Sequence, residues 1–117
     1  MKWNYSKYGN RKVQVDMYVF DSLLESKRYK QLALLEKAGE IKNLKLQVPF
    51  LLQEGFRKNG KTYRKIEYVA DFVYEENGKT IVEDTKGIKT EVFKIKQKLF
   101  EYKYPNLSLK IITREEI

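Results

Sequence analysis

The sequence predicts an α/β fold, a mixed β-sheet with flanking helices, in the order α-β-β-β-α-β after one short opening strand. Three observations carry this reading. Two segments, Ser22 to Ala38 and Glu91 to Tyr104, have helical periodicity. Between them lie three strand-like runs, the last two joined through Asn77-Gly78, a strong signal for a tight hairpin turn. Beyond the second helix, Pro105-Asn106 breaks the chain, and Leu107 to Ile112 supplies a closing strand.

In chain order, residues 1–12 carry Lys2, Lys7, Arg11 and Lys12 with Trp3, Tyr5 and Tyr8 between them, and the first acid is Asp16. This is either a basic, aromatic-laced arm or a terminus whose aromatics pack on the domain. Val13, Val15, Met17 and Val19 alternate, as a short strand would. Asp21 and Ser22 open the first helix and Gly39 closes it. Leu24, Leu32 and Leu35 fall within about 80° on a helical wheel and are its expected buried face.

Leu46 to Gln53, Arg64 to Tyr74 and Thr80 to Lys86 are the three strands, with a second hairpin turn near Asn59-Gly60. In the last helix Val92, Phe93, Ile95, Leu99 and Phe100 form the expected core stripe. Lys96 falls inside that stripe, whereas Lys94 and Lys98 lie on the outer side. No repeat, linker or low-complexity tract divides the chain, so a single domain over residues 1–117 is expected.

Composition excludes several chemistries. The 117 residues include no His and no Cys, which removes Ser-His-Asp and Cys-His nucleophiles, zinc fingers and disulfides. Catalysis would have to use carboxylates, lysines, hydroxyls or a hard cation bound through oxygen. The 24 Lys+Arg against 16 Asp+Glu give a net charge of +8, which favours polyanionic partners. The longest uncharged run, Leu46 to Gln53, is far shorter than the ~20 residues needed to cross a bilayer. With no signal-type apolar region at the N-terminus, a soluble, cytoplasmic protein without a membrane partner is expected.

Asp71 sits in an otherwise core-like strand, on the face of Val69 and Val73 by period-two alternation. Across the Asn77-Gly78 turn, Asp84 lies about as far after the turn as Asp71 lies before it, and Val82, Asp84 and Lys86 share a face. Two acids and a lysine therefore converge. Such a trio suits metal-assisted phosphodiester hydrolysis, with the carboxylates holding Mg²⁺ or Mn²⁺ and Lys86 orienting water or stabilising developing charge. The alternative is an interstrand ion pair on a solvated face.

Lys96 either reaches over the sheet edge towards the acids or snorkels along apolar surface. Glu25 either completes a capping box with Ser22 or approaches the metal site. Arg57, Lys58, Lys61, Arg64 and Lys65 crowd the Asn59-Gly60 turn. They form a grip on DNA phosphates or a solvated loop.

Asp71, followed by Asp84-Thr85-Lys86 on the next strand, resembles the spaced acid and (D/E)-x-K of the PD-(D/E)XK nuclease superfamily, and α-β-β-β-α-β is that superfamily's core. The surrounding text is more specific. Phe20-Asp21-Ser22 with Glu25 and Arg28-Tyr29, Ala38-Gly39-Glu40-Ile41, Gln47 with Phe50, Tyr68-Val69-Ala70-Asp71-Phe72 and Val82-Glu83-Asp84-Thr85-Lys86-Gly87 resemble a small phage-associated family of that superfamily, related by fold to Holliday-junction resolvases. The resemblance runs from about Lys7 to Ile112.

It implies Asp71 and Asp84 as metal ligands, Lys86 as catalytic lysine, Glu25 as the helical acid near the metal and Lys96 as a polar residue of the second helix near the site. Gln47 carries over without a defined role and is grouped with the DNA-facing residues Arg57, Lys58, Lys61, Arg64, Lys94 and Lys98. Ala70 replaces the motif proline. Glu83 beside Asp84 leaves two candidates for the motif acid, of which parity favours Asp84, since it alone shares a face with Lys86.

The expected function is that of a Mg²⁺- or Mn²⁺-dependent DNA endonuclease in phage recombination, replication or processing, acting on branched DNA such as Holliday junctions. For a phage-encoded protein, its location would be the host cytoplasm. A non-catalytic nucleic-acid-binding module that keeps the fold is the alternative, and an RNA-binding accessory protein a third. A homodimer is expected by analogy alone.

Overall fold

The computed structural model describes residues 12–20 and 22–117. The expected basic arm lies outside the described residues, apart from Lys12. The fold is a mixed α/β arrangement, in which a four-stranded mixed sheet is flanked by two helices.

The opening segment is two strands, not one: β1 (Val13–Val15) and β2 (Tyr18–Phe20) pair antiparallel. The turn between them holds Asp16 at φ 55, a value open to the short Asp side chain. Helix α1 (Leu23–Lys37) follows, with Ser22 Oγ accepting the Glu25 N–H at 3.1 Å.

The sheet is ordered β3 (Lys42–Gln53), β6 (Ile66–Glu76), β7 (Lys79–Thr85) and β8 (Leu109–Ile112). The first three run antiparallel, and β7 and β8 are parallel. A parallel pair needs a long crossover, which α2 (Glu91–Lys103) supplies. Asn77 and Gly78 both have positive φ, as the tight turn between β6 and β7 requires. A separate ribbon, β4 (Phe56–Lys58) and β5 (Lys61–Tyr63), interrupts the path from β3 to β6. Its turn uses Asn59 and Gly60 in the same way. At its base a Cβ on Gly55 would lie 3.0 Å from the Tyr63 carbonyl oxygen, so only glycine fits without displacing backbone.

Each sheet face carries one helix. On one face Tyr29 and Leu32 of α1 pack with Phe20, Ile41, Phe72 and Tyr74. On the other, Phe93 and Phe100 of α2 pack with Leu52, Tyr68, Ala70, Val82 and Leu109. Tyr104, just beyond α2, donates its hydroxyl to the Leu51 carbonyl at 2.7 Å and ties the helix to β3.

Both helices are rotated from the faces that their leucines suggest. In α1 the buried side is Glu25, Ser26, Tyr29 and Leu32, while Leu35 is exposed. In α2 only Phe93 and Phe100 of the expected stripe are buried, and Val92, Ile95 and Leu99 face solvent. Phe93 and Phe100 make ring contacts with Phe50, Tyr68 and Tyr104, and this aromatic cluster sets the rotation of the helix.

The inward-facing acid of α1's face is balanced within the sheet. Glu83, fully buried, accepts a bidentate pair from Arg28 at 2.8 and 2.7 Å and a further hydrogen bond from the Tyr74 hydroxyl. Hydrogen bonding to Glu83 pushes the Arg28 pKa up, and burial pushes that of the Tyr74 hydroxyl up. Glu83 is thus a structural acid, facing away from Asp84. Removing Arg28 leaves its charge buried and uncompensated. Arg28→Met is expected to cost about 3 kcal/mol, on the order of 10–20 °C in thermal midpoint, and Glu83→Gln in the same background is expected to recover part of it. Thermal denaturation of the two variants checks the pair.

Candidate active site

Gln47, Asp71 and Asp84 fall in one row across β3, β6 and β7. Leu46 pairs with Phe72 and Val48 with Ala70, so Gln47 stands opposite Asp71. The pairing of β6 with β7 runs from Glu76↔Lys79 to Phe72↔Glu83, so the next residues along are Asp71 and Asp84. At this row the ladder between β6 and β7 ends, whereas that between β3 and β6 skips only the Gln47–Asp71 position and resumes at Val48 and Ala70.

The Asp71 side chain takes over where the ladder ends. Its Oδ2 accepts the Thr85 N–H at 2.9 Å and the Thr85 hydroxyl at 2.8 Å, bridging the separating strands. The other oxygen, Oδ1, faces the Gln47 amide at 3.4 Å. Gln47 Nε2 also donates to Glu25 Oε2 at 2.9 Å, joining the first turn of α1 to the row.

The row is also where the strands change face. Leu44 and Leu46 pack on the α1 side and Leu52 on the α2 side, although all three have the same parity. In β6, Tyr68 and Ala70 lie on the α2 side and Phe72 and Tyr74 on the α1 side. Alternation therefore fails between Ala70 and Phe72. Asp71 shares a side with Val73, as expected, but not with Val69, which faces solvent. Gln47 absorbs the change in β3 with φ 52, a left-handed conformation unusual for a side chain of this length in mid-strand. Such a residue costs on the order of 1–3 kcal/mol and persists where its surroundings hold it.

Asp84 is 2% exposed. Its Oδ2 lies 3.0 Å from Lys86 Nζ, an ion-pair distance, yet off the direction of a hydrogen bond, and the atom accepts none. Burial pushes the Asp84 carboxyl up to about 7, and a hydrogen bond and repulsion from Asp71 add to the rise against the pull of Lys86. Lys86 Nζ in turn sits 4.4 Å from the centroid of the Phe93 ring, a cation–π contact that fixes the ammonium beside the acids. Tyr68 completes the group. Its buried hydroxyl has no hydrogen-bond partner, and burial and the nearby Asp84 push its pKa up.

The structure thus brings together Asp71, Asp84, Lys86 and Gln47, with Glu25 one amide further out. Glu25, expected as the helical acid near the metal, is linked to the aspartates through Gln47, whose Nε2 lies 2.9 Å from Glu25 Oε2 and 3.4 Å from Asp71 Oδ1. No cluster of three acids close enough to hold one ion occurs among the described residues, because the Gln47 amide stands between Glu25 and Asp71. Glu25 is nonetheless buried in the centre of α1's inner face, deeper than a helix cap requires. Gln47, grouped by sequence with DNA-facing residues, has its amide engaged by the two acids.

Lys96 is half-buried on the side of α2 that carries Phe93 and Phe100, and has no ion pair among the described residues. Lys94 pairs with Glu91 at 3.2 Å. It lines a hollow on α2 with Glu91, Lys98 and Glu101. Arg57, Lys58, Lys61 and Arg64 are exposed on or beside the ribbon. Sequence reading missed Thr85 and Tyr68. Thr85 is the unspecified middle residue of the acid-x-lysine pattern, and its signal was a hydroxyl in a strand of otherwise core character. Tyr68 gave no signal beyond an aromatic in a strand.

Two measurements check this geometry. Since φ near 50° is free for glycine, Gln47→Gly is expected to be about 1 kcal/mol more stable than Gln47→Ala in chemical denaturation, although both lose the bridge. A carboxyl whose folded pKa is raised from about 4 to about 7 gives stability that is fully present below pH 4 and lost as pH rises through 7. Without divalent cations, the wild type is therefore expected to lose up to a few kcal/mol between pH 5 and pH 8 relative to Asp84→Asn. Denaturation of both proteins across that range gives the difference directly.

Comparison with known proteins places the chain in a family without assigning it an activity. Residues 5–116 match a family described as protein of unknown function (DUF1064). No curated protein and no solved structure matches the chain. The family match spans nearly the whole sequence, and the chain therefore belongs to DUF1064.

Proposed function

We propose that the protein is a metal-dependent DNA endonuclease of the PD-(D/E)XK type, with Asp71 and Asp84 as metal-holding residues and Lys86 as the catalytic lysine. The observation that carries this is the placing of two aspartates, one of them buried, on the row where β6 and β7 part, with an ammonium 3.0 Å from Asp84. The order α1-β3-β6-β7-α2-β8 supports the restriction-endonuclease-like core that this reading needs.

The donor set fits a hard divalent cation. Asp84 Oδ2 accepts no hydrogen bond, and the repulsion that raises its pKa is what a cation would relieve. Mg²⁺ and Mn²⁺ take one or two carboxylates and complete their shell with water and phosphate oxygens, so two aspartates suffice. When bound, the ion supplies Lewis acidity towards the phosphodiester and lowers the pKa of a water.

The chain's own groups do the rest. Thr85 holds Asp71 Oδ2 through two hydrogen bonds, which leaves Oδ1 towards the site. Glu25 orients the Gln47 amide, and the amide orients Asp71 Oδ1; both are positioning residues. Lys86, partly exposed and fixed against Phe93, presents its ammonium to a non-bridging phosphate oxygen and stabilises the charge that develops there. DNA phosphates further out meet the exposed Arg57, Lys58, Lys61, Arg64 and Lys98, with branched DNA as the substrate class.

One observation favours a non-catalytic nucleic-acid binder instead: Asp71 Oδ2 is bound by Thr85, and Asp84 has an ion pair with Lys86, as in a structural network. Substitution separates the two. Asp71→Asn and Asp84→Asn are each expected to reduce Mg²⁺- or Mn²⁺-dependent cleavage of linear, flap and four-way DNA at least about 100-fold. DNA binding in EDTA is kept or tightened, and thermal stability is equal or higher. Lys86→Ala is expected to lose cleavage with metal binding retained. A wild type that cuts none of these DNAs, with all three variants merely less stable, leaves the binding module as the answer.

A further inference from the structure

We propose that the β4–β5 ribbon is a recognition element for unpaired DNA, in which Phe56 and Tyr63 stack on a nucleobase and Lys58 and Lys61 hold the flanking phosphates. The ribbon lies outside the four-stranded sheet, and every residue of its two strands is exposed. Phe56 and Tyr63 are paired across it, with ring centroids 4.8 Å apart and planes 10° from parallel. They remain 44% and 40% exposed. Other ring pairs, such as Phe50–Phe100 and Phe50–Tyr104, meet edge to face inside the fold. The exposed pair instead stacks face to face and stays partly open on its outer sides.

Register places Lys58 and Lys61 opposite one another, on the side of the ribbon that carries the two rings. Lys61 Nζ stands 5.2 Å from the centroid of the Tyr63 ring. On the other side Arg57 is tied to Thr62 Oγ1 at 2.6 Å and the Gly60 carbonyl at 3.2 Å, which stiffens the turn. No acid occurs between Glu54 and Glu67, a stretch with five positive charges.

A stacking aromatic surface beside cations is the arrangement that single strands use, because every base offers a π-face and every nucleotide a phosphate. Duplex DNA leaves the rings without a partner, since its bases are already stacked on one another. Phosphate attraction alone explains the lysines but not the rings. From the base of the ribbon, at Gln53 and Ile66, six residues of β3 lead back to Gln47. That is about 20 Å of strand, or roughly six nucleotides at the rise of a stacked strand. One DNA strand therefore reaches both the ribbon and the aspartates. This last step rests on the nuclease reading, whereas the binding step does not.

The test is fluorescence anisotropy in EDTA with labelled dT20, a 20-bp duplex and rU20, together with quenching of a 2-aminopurine placed in the single strand. The wild type is expected to favour dT20 over the duplex at equal salt and to quench the probe. Phe56→Leu with Tyr63→Val keeps β-forming apolar side chains and removes both rings. It is expected to lose about tenfold on dT20, to lose the quenching and to leave duplex affinity unchanged. Phe56→Tyr, which keeps a ring, is expected to retain both. Lys58→Ala with Lys61→Ala is expected to weaken dT20 and to flatten its salt dependence by about 1.4 in log–log slope.

Should the ringless variant unfold the ribbon, the quenching by the wild type and Phe56→Tyr decides. A ringless variant with unchanged or uniformly reduced affinity, an unquenched probe, or tighter binding of rU20 overturns the proposal. Single-strand binding without cleavage in Mg²⁺ or Mn²⁺ defeats the nuclease reading and leaves this one standing. Cleavage together with dT20 binding and probe quenching that are all indifferent to the rings does the reverse.

Discussion

The contact on which the site depends is the acceptance by Asp71 of two hydrogen bonds from Thr85. Where β6 and β7 stop pairing, the freed backbone N–H of Thr85 needs an acceptor, because a buried unpaired amide costs about as much as a lost hydrogen bond. A side-chain carboxylate at that position closes the gap and keeps the strands from separating further. The same substitution of side chain for backbone turns Asp71 towards Asp84. An ordinary ladder would have left the two aspartates directly opposite across a flat sheet, each free to seek water.

Two adjacent acids in β7 meet opposite treatment, and the contrast locates the chemistry. Glu83 points to the α1 side, where a bidentate arginine and a tyrosine hydroxyl satisfy it. A buried ion of that kind contributes little net stability, but breaking it is costly, so it behaves as a fixed part of the scaffold. Asp84 points the other way, with one oxygen that accepts no hydrogen bond and a second acid close by. Lys86 offsets only part of that burden. A fold that fully compensates one buried acid and leaves its neighbour under-compensated retains in the second an affinity for positive charge.

Period-two alternation was legible enough to choose Asp84 over Glu83 and to put Lys86 on the same side. Turn chemistry fixed the register, because Asn77-Gly78 and Asn59-Gly60 admit few other geometries. The sequence did not disclose the face change at Gln47 and Asp71. It depends on one left-handed residue that is neither Gly nor Asn, and no local propensity marks it. The helix rotations were misjudged for a related reason. Counting apolar positions favoured Leu35 in α1 and Val92, Ile95 and Leu99 in α2, whereas burial followed the larger rings of Tyr29, Phe93 and Phe100.

The face change also accounts for how groups from both helices reach one row of residues. In a regular sheet, side chains supported by α1 and by α2 stand on opposite sides, separated by the backbone. Glu25 is supported by α1, and Lys86 is braced by Phe93 of α2. By rotating β3 through a left-handed residue, the chain exposes Gln47 at the crossing point, from which its amide reaches the α1 acid at 2.9 Å and Asp71 at 3.4 Å. Relaxing Gln47 to ordinary strand geometry would restore alternation and turn its side chain away from one of the two acids. The strain at Gln47 is therefore the local cost of a site that draws on both layers of the fold, and helix packing on each face holds it in place.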